Sequence, residues 1–583
     1  MRRVLRIILL FAVMCALCFG TAGSCSGADE PGTAATGSGG TAGRPGGVAF
    51  LSGAGLFSSI RNPLNPESVY PFKTHREISP GELDASGCDP ARLEAIITEI
   101  DRRYTAESDD PLAPVKLRAA LKRLHEEYDI FLTRLTLMNV QYERDIYDKT
   151  LSRELVRLTA ACSDLSDQAM TCMGRVLAGP YHDILANELN ASEENTLREH
   201  APAPELLPLA RKETRLIQKY DRIISRDLPL AQTAAEALPV FQGLVAVRTE
   251  TARICGYENY ANYADTVLYG RDYTGADLQQ LHSAVREHIV PIYAERTKAF
   301  AGTELISDHR ADPERILKDL GPCIAQIDPA LKESYHYLRR NRVSDLADDP
   351  RKPEMGYTDT LPQYGSAFIF NTPVGDEADY TDLVHEFGHF NAIFHDPTPA
   401  LFAEDAMDTE ELQSQGLEML FLDFYDELFG QDAAVLQEET LLGILDSVIT
   451  GCMSDEFQRT VYTHPDMSAE EIVALAARLC AEYGQIDAGN ITAEEAPFDW
   501  MLTEHNFNSP LYYISYATSG LSALDLYLMA QQNREATTTA YMKVSAMGCG
   551  EPYRRAVSCC GLRDIFATDT VPAIASQLAE LQP

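Results

Sequence analysis

One pentad, His385-Glu386-Phe387-Gly388-His389, constrains this chain of 583 residues more than any other stretch. On a helix, residues four apart lie one turn apart on nearly the same face, so His385 and His389 can point their imidazoles at one metal ion. Glu386 flanks that point and is placed to accept a proton from a zinc-bound water. The pattern therefore predicts a helix over this stretch, one zinc ion per chain, and Glu386 as the catalytic base.

The third protein ligand that a catalytic zinc site needs has three candidates in this sequence. Glu411 opens a second stretch with helical apolar spacing, and Glu418 lies seven residues later on the same helical face. His395 would serve in a metzincin, but Ala392 stands where that pattern has a glycine to bend the chain. In a straight helix, His395 lies about 15 Å along the axis from His385. We therefore expect Glu411 as the ligand and Glu418 as the carboxylate that orients a ligand histidine.

Four blocks around the pentad form an ordered set, at residues 364–371, 380–389, 411–418 and 505–518. Together they resemble the M3 family of zinc oligopeptidases, especially its oligoendopeptidase F branch, and the likeness covers about residues 230 to 575. The resemblance implies a mainly α fold, a large two-lobed helical zincin with a deep substrate channel and a small β-sheet beside the zinc helix. One departure is Ile514, which stands where the family has a tyrosine.

The resemblance also implies which side chains of the last block contact the substrate or the oxyanion on the attacked carbonyl. His505, Tyr512 and Tyr516 are expected as catalytic groups, and Tyr513 as a substrate contact. Upstream of the pentad, residues 365–370 are predicted to form a short strand. An edge strand beside a zinc helix can pair with a peptide backbone, so we expect substrate contacts here. The residues chosen for these contacts are Gly365, Ser366 and Ala367.

The N-terminus predicts export. Three arginines precede an apolar run at residues 7–19, which is typical of a signal peptide and places one over residues 1–24. Cys25 follows the tripeptide Ala-Gly-Ser, which is similar to a bacterial lipobox with alanine in place of the usual leucine. We expect Cys25 to be lipidated at the outer face of a bacterial cell membrane; the alternative is an ordinary signal peptidase cut and a secreted protein. Residues 25–68, rich in Gly, Ala, Ser and Thr, are expected to form a flexible tether.

The rest of the chain divides into two predicted domains. Residues 69–238 show helical apolar spacing and no chemical motif, which predicts a helical N-terminal domain. Residues 239–583 hold all the motifs and are expected to form the zinc metallopeptidase catalytic domain. Such an N-terminal domain, by the same resemblance, would help to wall the substrate channel.

Charge and cysteine usage exclude some functions. The formal net charge is −38, and removal of the signal peptide deletes three arginines and no acid, so nucleic-acid binding is not expected. After Cys25, no C-x-x-C pair occurs, which leaves a cysteine zinc site without support. Export would permit disulfides, for which Cys162 with Cys172, and Cys549 with Cys559 or Cys560, are candidates. Buried thiols are the alternative.

The function predicted from the sequence is an exported zinc metalloendopeptidase that hydrolyses oligopeptides. A metzincin using His395 is one alternative. A dipeptidyl carboxypeptidase of the angiotensin-converting type is another, because it shares the helical architecture and the pentad with a glutamate ligand. A third, from another class, is a non-catalytic peptide-binding lipoprotein with an inherited zinc site. Glu386 argues against the last, since binding alone does not need it. The sequence indicates no oligomeric state.

Overall fold

The computed structural model describes residues 74–581, apart from Pro80, Ser108, 200–203, Ser225, Asp227, Glu354 and 404–405. The predicted signal peptide, the lipidation site Cys25 and the predicted tether lie outside the described residues. Those expectations therefore stay predictions.

Helices form most of the described chain. In the first half they are α1 (Pro90–Tyr104), α2 (Ala113–Arg144), α3 (Lys149–Ala178), α4 (His182–Ala186), α5 (Ala191–Glu199), α6 (Leu207–Ile224), α7 (Leu230–Ile254), α8 (Tyr260–Tyr263), α9 (Gly275–Ala284), α10 (Val290–Phe300), α11 (Pro313–Ile327) and α12 (Pro329–Asn341). In the second half they are α13 (Ala378–His395), α14 (Met407–Phe421), α15 (Tyr425–Phe429), α16 (Ala433–Thr463), α17 (Ala469–Glu482), α18 (His505–Asn508), α19 (Ile514–Ala530), α20 (Arg534–Ser545), α21 (Tyr553–Cys560) and α22 (Thr570–Glu580). Local sequence starts several of them. Ser468 and Glu471, for example, form a reciprocal capping box at the first turn of α17.

One small sheet lies against α13. Its strands are β1 (Ser344–Asp345), β2 (Gly356–Leu361) and β3 (Ser366–Asn371), in the order β1-β3-β2. β1 runs parallel to β3, and β2 runs antiparallel to it with Thr358 opposite Ile369. The mainly α fold with a small sheet beside the pentad helix is therefore confirmed. The expectation that residues 365–370 form an edge strand is wrong, because β3 is the central strand and β2 is the outer one.

The buried side chains form a main core and a smaller N-terminal core. The smaller core combines residues of α1, α2 and α3 with Leu401 and Phe402, so a later segment of the chain closes it. The main core takes side chains from α6 and α7 as well as from the helices that follow. Helix α7 is continuous across residues 238 and 239, where the sequence places a domain boundary, so the chain has no break there.

Helix α7 is also the one described helix that is long and apolar enough to cross a membrane. Its packing gives it another role. The guanidinium of Arg248 is fully buried, lies 2.6 Å from the Glu213 carboxylate of α6, and donates a 2.9 Å hydrogen bond to the hydroxyl of Tyr462. A buried charge requires partners of this kind, and here they join α7 to α6 and α16.

All ten cysteines of the described chain are free thiols. The candidate disulfides between Cys162 and Cys172, and between Cys549 and Cys559 or Cys560, are therefore not formed. The Cys172 thiol instead lies 3.7 Å from the Ile97 carbonyl oxygen, in the smaller core. Burial raises the pKa of Cys172 to about 12, so this thiol is unreactive at neutral pH.

Candidate metal centre

Helix α13 carries the pentad and runs unbroken from Ala378 to His395. Because the helix does not bend at Ala392, His395 lies nearly three turns beyond His385 and on a different face of the helix. Its Nε2 lies 3.3 Å from the Ala330 carbonyl oxygen at the start of α12. The structure thus excludes the metzincin arrangement, as the alanine at position 392 indicated.

Helix α14 crosses α13 at Gly388, the fourth residue of the pentad. A Cβ atom at this position would lie 2.6 Å from the Ser414 Cα and 2.8 Å from the Gln413 carbonyl oxygen. Both are backbone atoms that cannot rotate away, so the crossing requires glycine. The close approach brings Glu411, one turn before Ser414, to the histidine face of α13.

Three donor atoms converge at this crossing. The Nε2 atom of His385 lies 3.2 Å from the His389 Nε2 and 3.6 Å from the Glu411 Oε2, and the His389 Nε2 lies 3.9 Å from the same Oε2. Tetrahedral zinc, with bonds of about 2.0–2.2 Å, places its ligand atoms about 3.3–3.6 Å apart. Within the described ranges, these three residues are the one group of ligand atoms close enough to hold a metal. Their spacing is close to what zinc requires, so these three residues could hold the ion and would supply three of its ligands.

Glu418 orients the first histidine of the pair. Its Oε1 lies 2.7 Å from the His385 Nδ1, so this nitrogen donates to the carboxylate and Nε2 is left to face the other donors. Burial lowers the pKa of His385, but the hydrogen bond to Glu418 and the charges of Glu418, Glu411 and Glu386 outweigh burial and raise it to about 10. Burial and the positive charge of His385 hold the pKa of His389 well below its usual value. The hydrogen bond from His385 to Glu418 is the contact that the expected orienting role of Glu418 requires.

Glu386 is held from the sheet. The Thr358 hydroxyl in β2 donates a 2.6 Å hydrogen bond to the Glu386 Oε2. Burial raises the pKa of Glu386 to about 7, against the lowering effects of the His385 charge and of the Thr358 hydrogen bond. A carboxyl that titrates near neutrality suits a general base that must also release its proton. Thr358 was missed from the sequence, because no motif marks it.

Asp382 is a second residue that the sequence reasoning missed. It lies on α13 three residues before His385, so its spacing alone could have indicated it. Burial, then the charge of Asp379, raises the pKa of Asp382 well above its usual value, and the charges of Glu418 and Glu386 act in the same direction. More acidic side chains therefore lie near the two histidines than the motif alone indicates.

The four expected side chains of the last block form one aromatic cluster. The imidazole of His505 is 1 % exposed and stacks on the Tyr512 ring at a centroid distance of 5.3 Å. The Tyr513 ring lies 4.9 Å from His505, and the Tyr516 ring lies edge-on to Tyr512 at 5.2 Å. The Tyr512 hydroxyl donates to the Glu411 Oε1, which joins the cluster to the metal-binding group. Oxyanion and substrate contacts by these residues stay predictions.

His505 is neutral in this setting. Burial lowers its pKa to about 3, and both ring nitrogens lack a hydrogen-bond partner within the part of the chain that the structure describes. A buried imidazole that keeps its hydrogen-bonding groups free departs from the usual pattern in cores. It is thus available to donate one hydrogen bond to a group that enters the site.

A strained turn positions Tyr512. Leu511 adopts a left-handed backbone conformation with φ at 65°, which is uncommon for a residue with a side chain. Its amide donates to the Gln458 Oε1 at 3.0 Å, and its carbonyl oxygen accepts from the buried Arg271 guanidinium at 2.7 Å. These contacts stabilise the strained conformation, as is found at functional sites.

The residues of β3 that were expected to contact substrate lie in the central strand of the sheet. Ser366 and Ala367 are buried in the central strand and pair with Leu361 and Thr360 of β2. The Gly365 carbonyl oxygen lies 2.7 Å from the His75 Nδ1, so that position is also covered. Strand β2 therefore occupies one side of Ser366 and Ala367, and substrate contacts by these three residues stay predictions.

Comparisons with known proteins indicate which fold this chain has. No protein-family model matches the chain, and no curated protein matches it. Among solved structures, an X-ray structure of a protein assigned as oligoendopeptidase F matches with a TM-score of 0.71 and 22% identity, covering 84% of this chain and 96% of that one. The chain has the oligoendopeptidase F fold. PZ peptidase A with an inhibitor matches with a TM-score of 0.71 and 18% identity, covering 85% of this chain and 98% of that one.

A third structure supports the same conclusion. A protein from Bacillus anthracis that is also assigned as oligoendopeptidase F matches with a TM-score of 0.69 and 18% identity, covering 84% of this chain and 96% of that one. The chain thus spans nearly the whole length of each of these neighbours. Within the oligoendopeptidase F fold, this chain places the donor group at the crossing of α13 and α14.

Proposed function

We propose that this protein is a zinc metalloendopeptidase that hydrolyses peptide bonds in oligopeptides. The observation that carries the proposal is the convergence of His385, His389 and Glu411 beside the buried carboxyl of Glu386. These three residues would hold the zinc ion, with Glu418 fixing the ring of His385. When bound there, zinc would polarise a peptide carbonyl and lower the pKa of a water molecule.

Glu386 has the geometry and the pKa for the proton transfers of this reaction. Thr358 occupies Oε2, so Oε1 is the atom that takes up a proton from the attacking water. A pKa of about 7 lets the carboxylate accept that proton and then release it to the leaving amine nitrogen. His505 can donate a hydrogen bond to the developing oxyanion, and Tyr512 and Tyr516 remain candidates beside it.

The outer strand β2 replaces β3 as the proposed docking edge for the peptide. Its residues Thr358 to Thr360 are half-buried and lie next to Glu386. A peptide that adds to an outer strand is held by backbone hydrogen bonds, which do not depend on its side chains. This recognition is consistent with oligopeptides of varied sequence as substrates.

Export and a lipid anchor at Cys25 belong to the same proposal. They are supported by the N-terminal charge pattern, the apolar run and the lipobox-like tripeptide. Mass spectrometry of the mature N-terminus would test them directly. An acylated Cys25 is the expected result, and an unmodified N-terminus would contradict the anchor.

The replacement Glu386→Gln tests the mechanism. It keeps the size of the side chain but removes its ability to accept a proton, so kcat for a defined peptide should fall by about 10²–10⁴-fold. Bound zinc, measured by elemental analysis, should be unchanged. Glu377→Gln, next to the first residue of α13, is the matched control and should retain both zinc and turnover.

The products of the same digestion separate the rival reactions. Internal cleavage, seen by mass analysis of the fragments, supports the endopeptidase, whereas release only of C-terminal dipeptides would establish a dipeptidyl carboxypeptidase. Equal turnover in the parent and in Glu386→Gln would contradict the proposed base. Peptide binding without any turnover in the zinc-loaded parent would favour the non-catalytic lipoprotein.

A further inference from the structure

Arg271, in the connection between α8 and α9, has a fully buried side chain whose guanidinium contacts three separate parts of the chain. Its Nη1 donates a 2.8 Å hydrogen bond to the Asp265 Oδ1. Its Nε lies 3.4 Å from the Asp408 Oδ2 of α14, and its Nη2 donates to the Leu511 carbonyl oxygen at 2.7 Å. A buried charge requires such partners, and the planar guanidinium fixes their directions. Arg271 therefore joins the start of α14 to the turn before Tyr512.

Asp408 lies on the helix that carries the proposed metal ligand Glu411. The two residues are three apart on α14, which places them one turn apart on the same side of the helix. The Asp408 Oδ1 also accepts hydrogen bonds from the hydroxyls of Tyr273 and Thr518, so both carboxylate oxygens are bound. Buried polar contacts thus hold the first turn of α14 in place.

The turn at Leu511 ends on the other partner of Glu411. Leu511 precedes Tyr512, whose hydroxyl donates to the Glu411 Oε1. The second oxygen of Glu411, Oε2, lies 3.6 Å from the His385 Nε2 and 3.9 Å from the His389 Nε2. One carboxylate oxygen is therefore taken by Tyr512, and the other faces the histidines. The hydrogen bond from Tyr512 thus selects the oxygen of Glu411 that a metal would meet.

The left-handed conformation of Leu511, with φ at 65°, makes this arrangement sensitive to Arg271. Such a conformation is unfavourable for a residue with a side chain and persists only where its surroundings hold it. The Arg271 guanidinium holds the carbonyl oxygen of Leu511, and the Gln458 side chain holds its amide. Release of the carbonyl oxygen would let the turn relax and carry Tyr512 away from Glu411.

We propose that Arg271 is a positioning residue that keeps Tyr512 hydrogen-bonded to Glu411 and so fixes the carboxylate oxygen that binds the metal. The guanidinium acts from both ends of this hydrogen bond, through Asp408 on the helix of Glu411 and through Leu511 beside Tyr512. This inference rests on the proposed function, which assigns zinc to the site. Loss of a group that orients a metal ligand weakens the binding of the metal.

The variant that tests the proposal is Arg271→Lys. It keeps the positive charge among the buried carboxylates, but an ammonium on a flexible chain cannot reproduce the planar set of donors. Arg296→Lys is the matched control. Arg296 is also buried, forms an ion pair with Glu438 of α16, and donates to two carbonyl oxygens at the C-terminal end of α22, outside the candidate metal centre. Urea unfolding of the metal-free chains measures the stability that each variant loses.

Zinc affinity is measured by competition against a chromogenic chelator in the parent, Arg271→Lys, Tyr512→Phe and the combined variant. We expect Arg271→Lys and Tyr512→Phe each to weaken zinc binding by about tenfold. The combined variant should match Tyr512→Phe within about twofold, because removal of the hydroxyl already removes the effect of Arg271, as for coupled residues in a double-mutant cycle. Arg296→Lys should keep the zinc affinity of the parent.

Three results would overturn the positioning role. These are parent-like zinc affinity in Arg271→Lys, losses that multiply in the combined variant, and an equal loss of affinity in Arg296→Lys. Should Arg271→Lys not fold, Asp408→Asn takes its place in the same cycle, since it keeps the size of the side chain but removes the charge that the guanidinium contacts. Unchanged zinc affinity in Asp408→Asn would then overturn the proposal, and a loss that disappears in the Tyr512→Phe background would support it.

The parent chain separates this inference from the proposed function. Its turnover of a defined peptide is measured with zinc bound. A parent that binds zinc but cleaves no peptide would refute the peptidase function alone, because the zinc affinities would still decide the role of Arg271. A parent that binds no zinc would refute both.

Discussion

Glu418 controls the candidate centre at the level of single residues. The carboxylate is hydrogen-bonded to the His385 Nδ1 at 2.7 Å and supplies the largest favourable contribution to the protonated ring. The same hydrogen bond fixes the ring so that Nε2 faces His389 and Glu411. Because the pKa of His385 is raised, a proton would compete with zinc for this ring. The metal affinity therefore depends on how firmly Glu418 holds this ring.

Replacing Glu418 with glutamine tests this dependence. The amide keeps the shape of the side chain but removes its charge, so the pKa of His385 should fall and zinc should bind about 10–100-fold more weakly. Competition against a chromogenic chelator measures the affinity. Glu427→Gln, on the exposed side of α15, is a charge-matched control. Equal zinc affinity in the parent and in Glu418→Gln would contradict the orienting role.

At the level of elements, the crossing of α13 and α14 determines the site. The pentad supplies two histidines on one helix, but the third donor arrives only because Gly388 lets the helices approach to backbone contact. The outer strand β2 acts from the opposite side and holds Glu386 through Thr358. Two helices and one strand thus position the proposed metal ligands and the proposed base.

Gly388→Ala should destabilise the fold. The added methyl group would overlap the backbone of α14 at Ser414, which costs about 1–3 kcal/mol and exceeds the gain of up to about 1 kcal/mol in helix propensity. Urea unfolding of the metal-free chain measures the change. Gly443→Ala in α16 is the control, since its Cβ would meet no atom within 4 Å and should be neutral or stabilising. A Gly388→Ala variant as stable as the parent would show that the crossing can relax.

At the level of the whole molecule, side-chain contacts join the N-terminal helices to the sheet. The Arg144 guanidinium at the end of α2 lies 2.5 Å from the Asp345 carboxylate of β1, and Asn139 bonds the Tyr357 hydroxyl. Leu401 and Phe402, from the connection between α13 and α14, complete the smaller core. Glu143 lies within this junction, so its titration affects how the two parts of the molecule hold together.

The stability of the chain should therefore fall as pH rises through the titration range of Glu143. Burial, then the charge of Glu504, raises its pKa to about 8 in the folded state against 4.5 for an ordinary glutamate, so between these values the folded state binds more protons than the unfolded state. The free energy of unfolding then decreases with pH across this window. Glu143→Gln removes the effect and should stabilise the protein by up to about 4 kcal/mol at pH 8, at about 1.4 kcal/mol for each pKa unit between 4.5 and 8.

Urea unfolding of the parent and of Glu143→Gln at pH 5 and pH 8 measures this difference. Glu127→Gln serves as the control on α2. A gain that is the same at both pH values would mean that Glu143 does not titrate in this range.

The sequence predicts the helices of the site because their signals are local. The spacing of His385 and His389 within one helix is enough to predict that both face the same metal ion. Glu411 is predicted from the apolar periodicity of its own helix and from the order of the motifs. The order of the strands is not local, so β3 was expected at the edge although β2 occupies it. Thr358 and Arg271 were missed for a related reason. Their roles arise from contacts with residues far along the chain, which no spacing in one element records.

The placement of Thr358 links the proposed peptide binding to the positioning of the proposed base. The strand proposed to take up a peptide is also the strand from which Thr358 steadies the proton acceptor. A bound peptide that extends along this strand would stiffen it, whereas a shorter one would leave it looser. If β2 binds the peptide as proposed, substrate length would change the rate of bond cleavage as well as the strength of binding, because one strand would contact the peptide and the proposed base.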